Sequence, residues 1–220
     1  MNGSKPQYDN IIWDFNGTLI DDALLSVRSV NELLARRGLP TLTLEMYRRV
    51  FGFPIQDYYR RIGMDMDAET PARLADEFHE QYMAGLPDVR LQPGCEALLA
   101  WFAERGCRQF VLSAMDEELL VPAIERLGIA HRFTAVYGLD NRFAHSKIGR
   151  GESLMDDHLL RGQRSLMIGD TDHDAEVAEA LGFEIILVAS GHQDVEQLCE
   201  CDLPVCTDLS DLLTTLRGRS

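Results

Sequence analysis

Lysine is nearly missing from this chain: only Lys5 and Lys147 stand beside nineteen arginines. Cations of either kind are outnumbered, with 21 Lys and Arg against 36 Asp and Glu and a formal charge of -15. So acidic a chain repels phosphate polymers and anionic lipid, which argues against nucleic acid and membrane surfaces as partners. Long apolar runs are lacking as well, and residues 1–10 are polar with no signal-peptide core, so a cytoplasmic protein is expected. Cysteine is scarce, odd in number at five, and unevenly spread, which excludes a disulfide scaffold and fits a reducing compartment. Cys199, Cys201 and Cys206 lack both CxxC spacing and a fourth zinc ligand, and read as ordinary thiols. There is no internal repeat or low-complexity tract, and oligomeric state leaves no mark.

What the chain does contain is organised around residues 11–21, IIWDFNGTLID. Ile11, Ile12 and Trp13 read as a short buried strand that stops at the turn signal Asn16-Gly17. Residues two apart on an extended strand face the same way, so Asp14 and Asn16 project together beyond its end. Ligands of a parallel α/β sheet bind outside the carboxyl ends of its strands. A carboxylate there, followed by a glycine that admits a ligand to the backbone, suits an attacking or metal-binding group. A strand ending in a polar turn would look the same.

Residues 21–87 show only helical patterns, over 24–34, 44–50, 55–62 and 68–84, with breaks at Gly38-Leu39-Pro40, Phe51-Gly52-Phe53-Pro54 and Gly63. This stretch is too small for a comfortable domain of its own, and is expected to be a lid inserted into a core formed by 8–20 and 88–220. Beyond Pro93-Gly94 helices and strands alternate. Strands are expected at 109–112, 134–137, 166–168, 185–188 and 204–205, with helices at 97–105, 116–127, 147–159, 175–181 and 211–216. That alternation predicts a parallel, three-layer α/β sheet.

Polar groups gather at three strand ends: Asp14 with Asn16, Ser113, and Asp170 with Asp174 in the run GDTDHD. Asp170 and Asp174 share a face if the turn between them is helical. Clustered carboxylates repel one another, and a hard cation such as magnesium resolves the repulsion. Capping of the next helix by Asp170 or Asp172 explains one member of the group, not all of it. Where position hardly matters this chain uses arginine, so Lys147 suggests a site needing a compact ammonium on a flexible stem.

Taken together, Asp14-Phe15-Asn16-Gly17-Thr18-Leu19, Leu112-Ser113-Ala114, Lys147 and the run 169–174 resemble the haloacid dehalogenase-like hydrolase superfamily, most closely its phosphoglycolate-phosphatase-like branch. The helical insertion sits where that family places a cap, between the first and second motifs. The resemblance implies a Rossmann-like core with a helical cap and a phosphatase acting on a small phosphorylated metabolite. It implies Asp14 as the nucleophile that becomes an aspartyl-phosphate. It implies Mg2+ held by Asp14, the main-chain carbonyl of Asn16, and Asp170, with Asp174 adjacent or acting through water. Gly17, Thr18, Ser113 and Ala114 are expected to bind the phosphate, and Lys147 to neutralise nucleophile and phosphate. In the cap, Arg48, Arg49 and Tyr58 are candidate substrate contacts, each also readable as part of a solvated helix face.

The chain departs from the pattern at Asn16, where these phosphatases usually carry an aspartate that protonates the leaving alkoxide. A carboxamide is no acid or base at neutral pH, although its backbone carbonyl is unaffected. Two readings follow from this. One is a phosphatase using good leaving groups, substrate assistance or another acid such as His173. The other is a non-catalytic phosphate-binding or interaction protein on the same fold.

Overall fold

The computed structural model describes residues 7–67, 71–139, 147–161 and 163–218. Six strands form one parallel sheet: β1 (Asn10–Trp13), β2 (Arg108–Asp116), β3 (Ala135–Leu139), β4 (Ser165–Gly169), β5 (Glu184–Val188) and β6 (Val205–Cys206), in the order β3-β2-β1-β4-β5-β6. All six lie where the alternating pattern expects strands. A parallel sheet covered on both faces is written as short, continuously apolar segments, and every residue of β1 and β4 is buried.

Side-chain alternation divides the strands between two apolar layers. Ile11, Trp13, Val111, Leu166, Ile168, Ile186 and Val188 face one layer, closed by α5 (Cys95–Glu104), α6 (Glu117–Arg126) and α10 (Leu209–Gly218). Ile12, Phe110, Leu112, Met167, Ile185 and Leu187 face the other, beneath α7 (Lys147–Asp157), α8 (Asp172–Leu181) and α9 (Val195–Cys199). The helix α9 is not foreseen by the periodic pattern, because five residues are too few to show a 3.6-residue period. β2 extends to Asp116, beyond its expected end at Ser113-Ala114, and Asp116 then caps α6 by accepting from Glu118 N at 2.8 Å.

Between β1 and β2 the chain builds α1 (Ala23–Arg36), α2 (Leu44–Val50), α3 (Ile55–Arg61) and α4 (Pro71–Gly85). The segment 68–70, where the sequence places the start of α4, lies outside the described residues. These helices share a third apolar cluster that includes Val30, Leu33, Leu34, Tyr47, Tyr58 and Leu74. The insertion leaves and rejoins the sheet through paired backbone: Asp21 N donates to Arg90 O and Gln92 N to Leu19 O, both at 2.9 Å.

Strand order reverses between β1 and β4: the chain runs outward from β1 through β2 to β3, and in the opposite direction from β4 to β6. Such a switch point leaves a crevice at the strands' carboxyl ends, which is where Asp14 and Asp170 emerge. Trp13, just before Asp14, is fully buried, meets Phe102 edge-on at 5.9 Å and donates from Nε1 to Gln109 Oε1 at 3.1 Å. Trp13→Ala is expected to cost about 3–5 kcal/mol in denaturant unfolding. A loss below ~1 kcal/mol would show that this layer does not depend on the indole.

Candidate active site

Asp14 follows β1 and is held in register by its own N–H, which donates to Ile168 O at 2.9 Å. Asp170 follows β4 at the same level. Between the two strands the chain turns sharply at Gly17, whose φ is +78°. A Cβ there would stand 2.2 Å from Asp170 Oδ2 and 2.6 Å from the His192 ring, so only glycine admits both neighbours.

The third carboxylate, Asp174, comes from the first turn of α8. Thr171, not Asp170 or Asp172 as the sequence suggested, is the N-cap. A capping box forms because Thr171 Oγ1 accepts from Asp174 N while Asp174 Oδ2 accepts from Thr171 N. Asp174 Oδ2 also accepts from Asp170 N and Thr171 Oγ1, at 3.2 and 2.8 Å. Its other oxygen takes Lys147 Nζ at 2.5 Å, and Lys147 also bonds Asp14 Oδ1. Both Asp174 oxygens are therefore committed within the protein. One oxygen each of Asp14, Asp170 and Asp174 lie within 4.8 Å of one another.

Burial governs the protonation of this group. It pushes the Asp14 carboxyl up to about 8; Lys147 opposes the shift, while the Asp174 and Asp170 charges add to it. Asp170 is pushed to about 6 by burial and Asp174, against the pull of His192. For Asp174 burial is outweighed by Lys147, which holds the carboxyl below its ordinary range. Burial alone would strip the Lys147 proton, but Asp14 and Asp174 outweigh it and hold the ammonium firmly charged.

A second buried network adjoins the first, and little of it was foreseen. Asp22 accepts from Gly17 N (2.7 Å) and Tyr82 Oη (2.6 Å), and also from Asn16 Nδ2 at 3.1 Å. His192 Nε2 lies 3.3 Å from Asp22 Oδ1, while its Nδ1 pairs with Tyr47 Oη at 3.0 Å. Burial would discharge His192, but Asp22 and Asp170 raise its pKa to about 9. Asp22 is lowered despite burial, by His192 and by the Tyr82 and Asn16 hydrogen bonds. This network accounts for Asn16: its amide gives one N–H to Asp22 and one to Tyr82 Oη at 2.7 Å, where an ionised aspartate would face Asp22. Only the position of His192, just past the end of β5, could have marked it in the sequence.

The two networks open onto a cavity of about 450 Å3. Asp14, Asn16, Ala114, Lys147, Asp170 and Asp174 line it. Thr18 and Ser113 do not. Thr18 is fully buried and spends its hydroxyl on Asp170 Oδ1 at 2.8 Å, and Ser113 Oγ accepts from Met115 N at 3.0 Å. Gly17 also stands behind the wall, with its carbonyl held by Gln92 Nε2 at 3.0 Å. In the insertion Tyr58 lines the cavity, so the solvated-face reading fails for it. That reading fails for Arg48 too, which bonds Gly191 O at 2.8 Å and Ser190 O at 2.6 Å and so latches α2 to the loop after β5. Arg49 is largely exposed and pairs with Glu45 at 3.0 Å. His173 lines the cavity and is bonded to Glu176 at 3.0 Å.

These shifts fix a sign for stability without metal. Asp14, Asp170 and His192 all hold protons in the folded chain that the unfolded chain releases at lower pH. The stability tied to those protons is present at low pH and is lost as pH rises through the folded values of about 6, 8 and 9. Asp22 and Asp174 are shifted the other way and matter only in more acid solution. In chelator, the thermal midpoint is expected to fall by several degrees between pH 6 and 9, at about 2–4 °C per kcal/mol. A midpoint that climbs over that range would contradict the assignment.

Comparison with known proteins agrees with this arrangement. The model of the haloacid dehalogenase-like hydrolase family matches residues 11–188. A phosphoglycolate phosphatase from Agrobacterium fabrum is 30% identical over 199 residues, covering 87% of this chain and 85% of the relative. A 5'-nucleotidase from Pseudomonas aeruginosa is 28% identical over 223 residues, covering 99% and 100%. Among solved structures, a haloacid dehalogenase-like hydrolase from Streptococcus pneumoniae superposes with a TM-score of 0.79 at 19% identity, over 94% of this chain and 98% of that one. CbbY from Rhodobacter sphaeroides, in complex with phosphate, gives 0.68 at 19%, over 94% and 96%. The chain belongs to the haloacid dehalogenase-like hydrolases and is a phosphoric monoester hydrolase.

Proposed function

We propose that this is a magnesium-dependent phosphatase that hydrolyses a small phosphorylated metabolite through an aspartyl-phosphate on Asp14. The observation that carries the reading is a charge imbalance. Asp14, Asp22, Asp170 and Asp174 are all buried in the two adjoining networks, and among the described residues only Lys147 and His192 balance them there. With all four ionised, four carboxylates against two cations would leave an excess of two negative charges, which the metal-free site lessens by keeping a proton on Asp14 at neutral pH. A divalent cation removes that excess, and closely spaced hard oxygen donors suit magnesium. Asp14, Asp170 and the main-chain carbonyl of Asn16 would hold it, with Asp174 supporting through Lys147 and the backbone of Asp170. Bound there, it would supply positive charge for the phosphoryl oxygens and keep Asp14 ionised.

The chain's own groups then account for the chemistry. An Asp14 oxygen attacks phosphorus as the bond to the leaving oxygen breaks, and water later displaces Asp14 from phosphorus to release phosphate. Lys147 stabilises the charge that gathers on nucleophile and phosphate. Ala114 lines the phosphate cradle directly, and Gly17, Thr18 and Ser113 support it from behind the wall, Thr18 through Asp170. Residues 21–87 act as a cap over a core of 8–20 and 88–220, excluding water and selecting the leaving group. A cytoplasmic location accords with five cysteines none of which forms a disulfide among the described residues.

Asp14→Asn should reduce phosphate release from any phosphomonoester to background, because an amide neither attacks nor carries charge. Turnover near the wild-type rate would reject the covalent route. Asn16→Asp places a carboxyl about where the amide meets Asp22 at 3.1 Å, so the pair keeps one proton at neutral pH. That proton can serve a leaving alkoxide. Turnover of alkyl phosphates should rise by up to ~10²-fold, more than that of aryl phosphates, while the thermal midpoint drops. An unchanged ratio between the two substrate classes would mean that the proton comes from elsewhere.

A further inference from the structure

The half of the cavity away from the carboxylates is made of rings. Tyr47, Phe51, Tyr58, Tyr59 and Phe78 line it from the insertion, and Met115 lines it from the core. The rings already pack on one another, Tyr47 on Phe51 at 5.1 Å and Phe51 on Tyr58 at 5.3 Å. Among the described lining residues Lys147 is the only lysine or arginine, and it is fully engaged by Asp14 and Asp174. Of the lining histidines, His192 is bonded to Asp22 and Tyr47 and His173 to Glu176. His79 is left as a lone imidazole. Among the described residues, an anionic leaving group such as glycolate would bury its carboxylate against apolar rings with no free guanidinium or ammonium to meet it, which is strongly unfavourable.

Volume argues the same way. A cavity of about 450 Å3 is far larger than phosphate and a two-carbon acid require, and falls in the range of pockets that enclose whole small molecules. Phe53 and Ile55, also lining residues, leave 40% and 38% of their surface in water. Tyr58 adds an independent sign. It is 1% exposed, yet its hydroxyl has no hydrogen-bond partner among the described residues. A buried hydroxyl without a partner is costly, and a ligand's polar substituent would relieve it. Asn16 bears on the chemistry once more: with no acid at that position, a phenol still departs readily as an anion, whereas an ester made through a sugar needs its proton from another group.

We propose that the phosphomonoester carries an uncharged aromatic body as its leaving group, stacked within the Tyr47, Phe51, Tyr58 and Phe78 wall, with a polar substituent on the Tyr58 hydroxyl. This rests on the phosphatase reading and names its substrate class. The aromatic body can be esterified directly, as in a phenol, or through a sugar, as in a nucleoside.

With magnesium present, kcat/KM is measured by phosphate release for phenyl phosphate, a purine nucleoside 5'-monophosphate, phosphoglycolate and glycerol 3-phosphate. At least one aromatic ester should exceed both small esters by about tenfold or more, the difference made by ~1.4 kcal/mol of ring burial. The faster of the two shows whether the ring adjoins the phosphorus or lies beyond a sugar. Parity, or a preference for phosphoglycolate, overturns the proposal. Calorimetry separates this from failure of the phosphatase reading, because phenylphosphonate should bind about tenfold tighter than phosphonoacetate whether or not any ester turns over. Equal affinities overturn the proposal even in an active enzyme. Tyr58→Phe keeps the ring and removes the hydroxyl. Among the three hydroxyphenylphosphonates, the one that binds the wild type best should lose about fivefold in the variant, with phenylphosphonate unchanged. Equal effects on both ligands overturn the assignment of Tyr58.

Discussion

The structure depends on how Lys147 is held. Its ammonium lies between Asp14, at the end of β1, and Asp174, in the first turn of α8, so one charge ties the proposed nucleophile to the helix that follows β4. Without it three carboxylates would converge at the switch point with only His192, beside Asp170, to hold any of them charged, and burial would favour their protonated forms. Even with Lys147 in place Asp14 stays raised to about 8. The chain thus builds a pocket whose four carboxylates can all be ionised and balanced only when a divalent cation joins it. Arginine, which the chain uses almost everywhere else, is a planar fork whose full charge is spread over three nitrogens, whereas lysine brings a compact point charge to both carboxylates at once.

The carboxyl that lies beside Asn16 is that of Asp22, and its role differs from that of an acid at position 16. Asp22 receives four donors, from Gly17, Asn16, Tyr82 and His192, and these fix the shape of the loop beneath the phosphate cradle. It is a structural carboxylate, kept ionised by its partners and spent on them. The insertion helps to make it so: Tyr82 lies on α4 and Tyr47 on α2, so part of the site's polar floor comes from its lid.

The sequence made the sheet legible because strands covered on both faces must be apolar throughout, and six such runs separated by helices admit few arrangements. Asp14 and Asp170 were legible for a related reason, since polar groups at strand ends have little to do in a sheet unless they bind something, and Lys147 was legible because the chain otherwise uses arginine. The rest was hidden by distance along the chain. His192 matters through Asp22 and Tyr47, 170 and 145 residues away. The capping of α8 by Thr171 rather than an aspartate depends on Asp174 folding back, which spacing alone does not specify. Thr18 looked like a phosphate ligand because it follows Gly17, but a residue facing inward from a tight turn meets the carboxylate behind it first.

Arg48 has a mechanical consequence. Its two hydrogen bonds end on the carbonyls of Ser190 and Gly191, and the next peptide N–H, that of His192, donates to Asp170 Oδ2 at 2.7 Å. Tyr47, beside Arg48, holds the His192 ring. Any motion that lifts α2 away therefore pulls on the same short stretch of backbone that steadies Asp170. If Asp170 holds the proposed cation, closing over a substrate and tightening the metal site would be one movement, and a departing product would leave through a site that has already begun to loosen.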